Sequence, residues 1–279
     1  MDKFNQIKSR LTLICCLLSV VFVFSACKDD KTDTNTRTAE DAISAVSIIY
    51  DIFNQIDAIA KDSNYHLSKS KNSDLTSCMT VISSSDNSFP KLVTLDFGAT
   101  NCLGSDGKNR RGKILFNISG KYYDQTTSIS VAFSNYYIND SRIEGKYTLE
   151  NTGRNILGNL THSITIKDFY IYTTSGTISF NGSFIREWTA GESTAWPVVN
   201  DDEFQITGSG SGTSSGSENF SLKIISSLKY KVGCSWFNSG IMNVSPYGRS
   251  VRMIDFGSGN CDNSVKITID GNISTIYLR

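Results

Sequence analysis

Residues 95–102 read Leu-Asp-Phe-Gly-Ala-Thr-Asn-Cys, and the pattern returns at 254–261 as Ile-Asp-Phe-Gly-Ser-Gly-Asn-Cys. Each copy follows a short β-like run, Lys91 to Thr94 in one case and Ser250 to Met253 in the other. Each is followed by a Lys-Ile strand, Lys113-Ile114 and Lys266-Ile267. A strand, a glycine-bearing turn and a second strand, used twice, predict a β-protein with internal similarity between 78–118 and 234–271. Within the turn, Gly98 and Gly257 are suited to positive φ, and Asp96 and Asp255 to accepting the turn's own amides. Asp-Phe-Gly is also the metal-binding triplet of protein kinases. No glycine-rich loop, paired strand lysine or catalytic-loop triplet accompanies it, so a structural turn is the reading.

Outward from these copies the chain alternates with a period of two. Ile114, Phe116 and Ile118 oppose Leu115, Asn117 and Ser119; Ile129, Val131 and Phe133 oppose Ser128, Ser130 and Ala132. The same holds for Ile164 and Ile166, for Ile178, Phe180 and Phe184, and for Phe220, Leu222 and Ile224. One apolar and one polar face is the mark of antiparallel strands with a solvated side. Turn signals such as Asn139-Asp140, Asn151-Thr152-Gly153 and Asp270-Gly271-Asn272 separate the runs. No strand–helix alternation calls for a parallel sheet. The expected fold over 78–279 is an antiparallel meander forming a sandwich, half-barrel or barrel. The Gly-Ser-Gly-Ser-Gly run at 208–212 is expected to be the small-residue tip of a hairpin rather than a linker.

One N-terminal helix packs on that sheet. Over 39–61, Ala42, Ala45, Val46, Ile49, Ile52, Phe53, Ile56 and Ile59 form a wide apolar stripe, with Thr38 as the cap. Core packing is the ordinary meaning of such a stripe. Residues 39–77 are read as this helix and a following loop.

The first 26 residues have the form of a targeting segment. Lys3, Lys8 and Arg10 precede an apolar run from Leu11 to Phe24, which ends in Ser25-Ala26-Cys27. Small residues directly before a cysteine resemble a bacterial lipobox, in which Cys27 receives a diacylglycerol and becomes the new N-terminus. The competing readings are an ordinary secretory peptide or an uncleaved span, for which the apolar run is short. Residues 27–38 read as a solvated tether from the lipidated cysteine. Cys27-Lys28-Asp29-Asp30 resembles the export signal of surface lipoproteins in the Bacteroidota. Removing the leader with Lys3, Lys8, Arg10 and Asp2 leaves 24 basic and 26 acidic residues, a net of −2 from an original 27 of each. That balance gives no electrostatic footprint for nucleic acid.

Four further cysteines remain: Cys78, Cys102, Cys234 and Cys261. An even number in an exported chain argues for two disulfides, and the repeat favours 78–102 with 234–261. A cross-link of the two copies, 102–261, is the alternative. No Cys-x-x-Cys spacing or nearby histidine suits zinc, and no metal or cofactor is called for.

Several constellations tempt. Gly212-Thr213-Ser214-Ser215-Gly216 matches a nucleophile elbow in letters, without the strand–turn–helix setting or a histidine base. His162 shares the phase of Ile164 and Ile166 and reads as a packed residue. Asp201-Asp202-Glu203 with Glu187 or Glu192 could supply glycosidase carboxylates, but a charged turn explains it as well. Asp262 and Asn263 lack calcium-loop spacing. Tyr123, Tyr136 and Phe169 fall on the otherwise polar phase of their strands and are the candidate binding platform for a sugar or a protein.

Asp96-Phe97-Gly98-x-x-Asn101-Cys102, then Asp106-Gly107-x-x-Arg110-x-Gly112-Lys113-Ile114, then Phe133-x-Asn135-Tyr136-Tyr137-Ile138-Asn139 and Gly145 resemble a group of flavobacterial-type Bacteroidota lipoproteins carrying the duplicated motif. Ile206-Thr207-Gly208 and Asp255 through Asp262 agree with it, so the likeness spans most of 78–279. The resemblance implies an envelope location and a β-rich fold, and carries over no functional residue. The expected function is a non-enzymatic outer-membrane lipoprotein, lipid-anchored and facing the cell surface, that binds a glycan or a protein partner. A structural or assembly subunit of an outer-membrane complex is the alternative.

Overall fold

The structure, a computed structural model, describes residues 33–61, 79–83, 88–194 and 201–278. The leader, Cys27, the first part of the tether and Cys78 lie outside the described residues.

Helix α1 (Arg37–Ala60) is followed by β1 (Thr80–Ser83), β2 (Lys91–Asp96), β3 (Cys102–Leu103) and β4 (Asn109–Ile118). Long strands come next: β5 (Ser128–Ile138), β6 (Ser141–Arg154), β7 (Leu160–Thr173), β8 (Gly176–Ala190), β9 (Glu203–Thr213) and β10 (Asn219–Lys231). The chain ends in β11 (Ser239–Pro246), β12 (Arg252–Ser258), β13 (Ser264–Ile269) and β14 (Asn272–Tyr277). All pair antiparallel in one meander, β1-β2-β4 through β14, with β3 paired beside β2 on β4. The sheet is not closed: β1 and β14 remain its two edges.

The sheet curls around α1. Of the helix's 24 residues, 17 are buried, on every side rather than along one stripe. Side chains reach it from β4 (Arg110), β6 (Tyr147) and β8 (Arg186), and from the β9–β10 turn (Ser215, Glu218). By length and composition α1 could cross a membrane, but most of its apolar surface is spent inside the sheet. The helix begins at Arg37, earlier than the sequence indicates. Thr38 is not its cap: the side chain is buried and donates to Glu218 at 2.5 Å.

Bulges produce the curl and overturn one sequence expectation. The β5–β6 register shifts between Val131 and Tyr136, and the β7–β8 register between Ile166 and Phe169. At these points Asn135 (φ 46°) and Asp168 (φ 50°) adopt left-handed backbone. One extra residue reverses the in–out phase of everything after it. Tyr136 and Phe169 therefore point inward and are 0% exposed, so they are core and not a platform. Glycines on the neighbouring strands make room. A Cβ on Gly112 (φ 83°) would run into the Asn135 carbonyl, and one on Gly145 (φ 126°) would lie 2.5 Å from the Asp168 carbonyl oxygen.

The run at 208–212 is likewise strand rather than tip. It lies inside β9 between β8 and β10, where Gly210 and Gly212 leave room for the rings of Phe180 and Phe220. The hairpin tip falls at residues 214–218.

Candidate functional site

The two copies of the repeat form matching turns. Asp96 Oδ1 accepts the Gly98 amide at 2.9 Å, and Asp255 Oδ1 accepts the Gly257 amide at 2.8 Å, with φ of 82° and 89° at the glycines. Cys234 and Cys261 are joined, with Cα atoms 5.2 Å apart, which removes the 102–261 alternative. Cys102 is also disulfide-bonded, and Cys78 is outside the described residues.

Inside the curl, three arginines are among the largest fully buried side chains: Arg110 on β4, Arg186 on β8 and Arg252 on β12. Each meets an aspartate from the helix or the segment before it. Arg110 Nη2 donates to Asp51 Oδ1 at 2.5 Å and also grips Asp106. Arg186 donates to Asp57, whose other oxygen accepts the Tyr122 hydroxyl at 2.8 Å. Arg252 donates to Asp33 at 2.6 Å. Beside the second pair, Lys61 binds Asp202 at 2.8 Å and lies 3.8 Å from the Trp188 ring centroid.

Burial works against charge in these groups, and the partners outweigh it. Desolvation alone would raise the Asp57 carboxyl, but Arg186 and Lys61 hold it below the usual carboxylate range. Burial pulls the Arg110 guanidinium down, while Asp51 and Asp106 more than restore it. Asp202 goes the other way: desolvation leaves its carboxyl raised despite Lys61. These side chains tie the helix to the surrounding strands. Asp202 is thereby turned inward as a partner of Lys61, and Ser215 donates its hydroxyl to Asp41 at 2.7 Å. Both belong to the packing around α1 rather than to a carboxylate pair or a nucleophile elbow. His162 is packed against the Tyr122 ring at 5.3 Å, and burial pushes it down to about 3.

Two concave surfaces lie among the described residues. One, of about 500 Å³, lies over the bulge beside the first turn and is lined by Asp96, Gly98, Arg111, Lys113, Asn135 and Tyr137. Its charges are already matched: Lys113 binds Asp96 at 2.9 Å, and Arg111 binds Asp140 while stacking on Tyr137 at 3.8 Å.

The other is a groove of about 290 Å³ beside the N-terminal half of α1. Asp41, Ser44, Ser47 and Ile48 form the helix side, facing the β5–β6 and β7–β8 turns. Lys108 and the half-buried Trp236 close it, with the ammonium 5.6 Å from the indole centroid. Lys108 is held at 3.0 Å by Asp51, the carboxylate that also takes Arg110, so this wall is fixed by the same network that pins the helix. Ser47 Oγ is buried here with no hydrogen-bond partner among the described residues.

The predicted platform residues are not brought together on the surface. Tyr123 is 45% exposed and stacks on Trp188, with ring centroids 6.3 Å apart, but it does not line the groove. Tyr136 and Phe169 both lie inside against Phe133. No motif in the sequence marks Ser47, Lys108 or Trp236. The available signal was a polar row at helical spacing, Glu40, Ser44, Ser47 and Asp51, running along an otherwise apolar helix. Among the described residues no three His, Cys, Asp or Glu side chains converge as metal ligands. No protein-family model, curated protein or solved structure matches the chain.

Proposed function

We propose that this protein is a non-enzymatic, lipid-anchored lipoprotein of the outer membrane, facing the cell surface, that binds a glycan or a protein partner in the groove beside α1. The groove is the observation that carries the binding reading: a concave surface with a half-buried indole, an apolar floor and an unpartnered buried hydroxyl. The address rests on the lipobox at Cys27, the Lys28-Asp29-Asp30 signal and the likeness to flavobacterial-type lipoproteins. Paired internal charges favour a rigid scaffold for recognition over catalysis.

Feeding producing cells an alkyne-bearing fatty acid tests the anchor. The native chain is expected to take the label, Cys27→Ala to lose it, and protease added to intact cells to degrade the native chain. Unlabelled native protein, or protein protected from the protease, overturns the location.

A second reading, a subunit of an outer-membrane complex, is favoured by the β6–β7 tip. Ile156 and Leu157 are 102% and 75% exposed side by side there, an unusual expense for a free-standing protein. A crosslinking pull-down from intact cells separates the two, since a stoichiometric outer-membrane partner lost in Ile156→Ser/Leu157→Ser selects the assembly reading.

A further inference from the structure

We infer that the groove beside α1 is a saccharide site, seating one neutral sugar ring against Trp236 and offering Ser47 to a ring hydroxyl. This deepens the binding reading above and rests on it.

Size comes first. Small-molecule pockets start at about 300 Å³, so a groove of about 290 Å³ takes one ring and leaves the rest of a chain in solvent. Its lining is two-natured. Ile48, Ile138, Ile171 and Ile178 give an apolar floor, and the half-buried Trp236 gives a flat apolar wall. A sugar ring has the matching character, with a C–H face that an aromatic plane can cover and hydroxyls around its rim.

The polar groups decide the class. Ser47 is 8% exposed, and its hydroxyl has no partner among the described residues, although a buried hydroxyl without a hydrogen bond is costly. It is therefore poised for a group that both donates and accepts, as a hydroxyl does. Lys108 spends its charge on Asp51, and Arg37 at the rim spends its donors on the Ser175 carbonyl and the Ser215 hydroxyl. At the rim, Glu40 and Asp41 have no cation within ion-pair distance among the described residues, although Asp41 accepts both the amide and the hydroxyl of Ser215. Two carboxylates against the single Arg37 guanidinium leave this rim net negative, which disfavours acidic sugars and offers acceptors to neutral ones. The larger cleft over the first turn lacks any such orphan, and its basic side chains are consumed by Asp96 and Asp140.

The test is an array of neutral and acidic microbial glycans probed with the full chain in detergent. Titration of the retained glycan and of its free monosaccharide units follows, read by isothermal titration calorimetry. Expected results are retention of neutral glycans, weaker or absent retention of uronic and sialic acid forms, and competition by a free neutral monosaccharide. Trp236→Ala should weaken binding by about tenfold or more with an unchanged melting temperature. Ser47→Val, which keeps the shape and removes the hydroxyl, serves as the second variant should Trp236→Ala fold poorly, and should also weaken binding. Affinity untouched by either variant overturns the groove assignment and leaves a glycan binder with its site elsewhere. Retention of no neutral glycan, or of acidic glycans alone, overturns the sugar class. Capture of a protein partner by the same chain would then leave the broader binding reading standing.

Discussion

Asp57 of α1 accepts the guanidinium of Arg186 on one carboxylate oxygen and the hydroxyl of Tyr122 on the other, so one helical side chain ties together β8 and the β4–β5 connection. The pair is buried, with 5% and 1% of the two side chains exposed. Arg186 is also sandwiched by rings, its guanidinium carbon 3.8 Å from the Phe204 centroid and 4.8 Å from that of Phe53.

Removing one partner strands a charge in the interior. Asp57→Leu or Arg186→Met alone is expected to cost about 3–5 kcal/mol, whereas the double change Asp57→Leu/Arg186→Met should recover much of that loss, because a well-packed apolar pair replaces a desolvated ionic one. Urea unfolding of the four proteins measures the coupling. Additive losses would mean that the two residues act independently and that the pairing does not hold the helix.

Acid should loosen the same region through His162. The ring is 1% exposed and burial pushes its pKa down to about 3, against about 6.5 in the unfolded chain. Below pH ~6.5 the unfolded chain takes up a proton that the folded chain refuses, so stability falls as pH falls, by up to about 1.4 kcal/mol per pH unit until pH ~3. Above that window His162 contributes no slope. Asp57, held low in the fold, adds a further loss only below the ordinary carboxylate range. Urea midpoints between pH ~7 and ~4 should drop steeply for the native chain and less steeply for His162→Phe. Equal slopes would assign the acid sensitivity to the carboxylates instead.

Local pattern carried the strand identity, the antiparallel meander and the helix, because alternation and the apolar stripe are set by burial on one side. The curl was not legible. Asn135 and Asp168 look like ordinary outward polar residues, and nothing in their letters announces an extra residue in the ladder, so strict alternation puts Tyr136 and Phe169 on the wrong face. The buried arginines were hidden by habit more than by physics. Arg186 shares its parity with Phe180, Phe184 and Trp188, and only the assumption that charge points outward conceals it. Trp236 lies in the connection between β10 and β11, where no period places a side chain at all.

The bulges give a direct check on the phase reversal. Tyr136→Ala and Phe169→Ala should each cost about 3–5 kcal/mol as core deletions, measured by chemical unfolding. Gly145→Ala should be costly too, since φ of 126° disfavours a side chain and the new Cβ would press on the Asp168 carbonyl and on Phe169 Cα, 2.7 Å away. A surface platform would instead lose ligand while keeping its melting temperature. Normal stability in Tyr136→Ala and Phe169→Ala would place these rings outside the core after all.

The Cys234–Cys261 bond spans 27 residues and joins the β10–β11 connection to the β12–β13 connection. Closing a loop of that length limits the unfolded chain and contributes about 3 kcal/mol or somewhat more on the chain-entropy account. Cys234→Ser/Cys261→Ser should lower stability by about that amount while the described β-content persists in far-ultraviolet circular dichroism. Trp236 sits two residues beyond Cys234, and Phe237 beside it packs on Tyr50 of α1 with ring centroids 5.3 Å apart. Loss of the bond should therefore loosen the groove's aromatic wall before it unfolds the sheet. Acrylamide quenching of the tryptophans is the readout, compared with the same double change in a Trp236→Phe background. Greater quenching only where Trp236 is present locates the loosening in the groove, and an equal rise in both backgrounds would place it elsewhere in the fold.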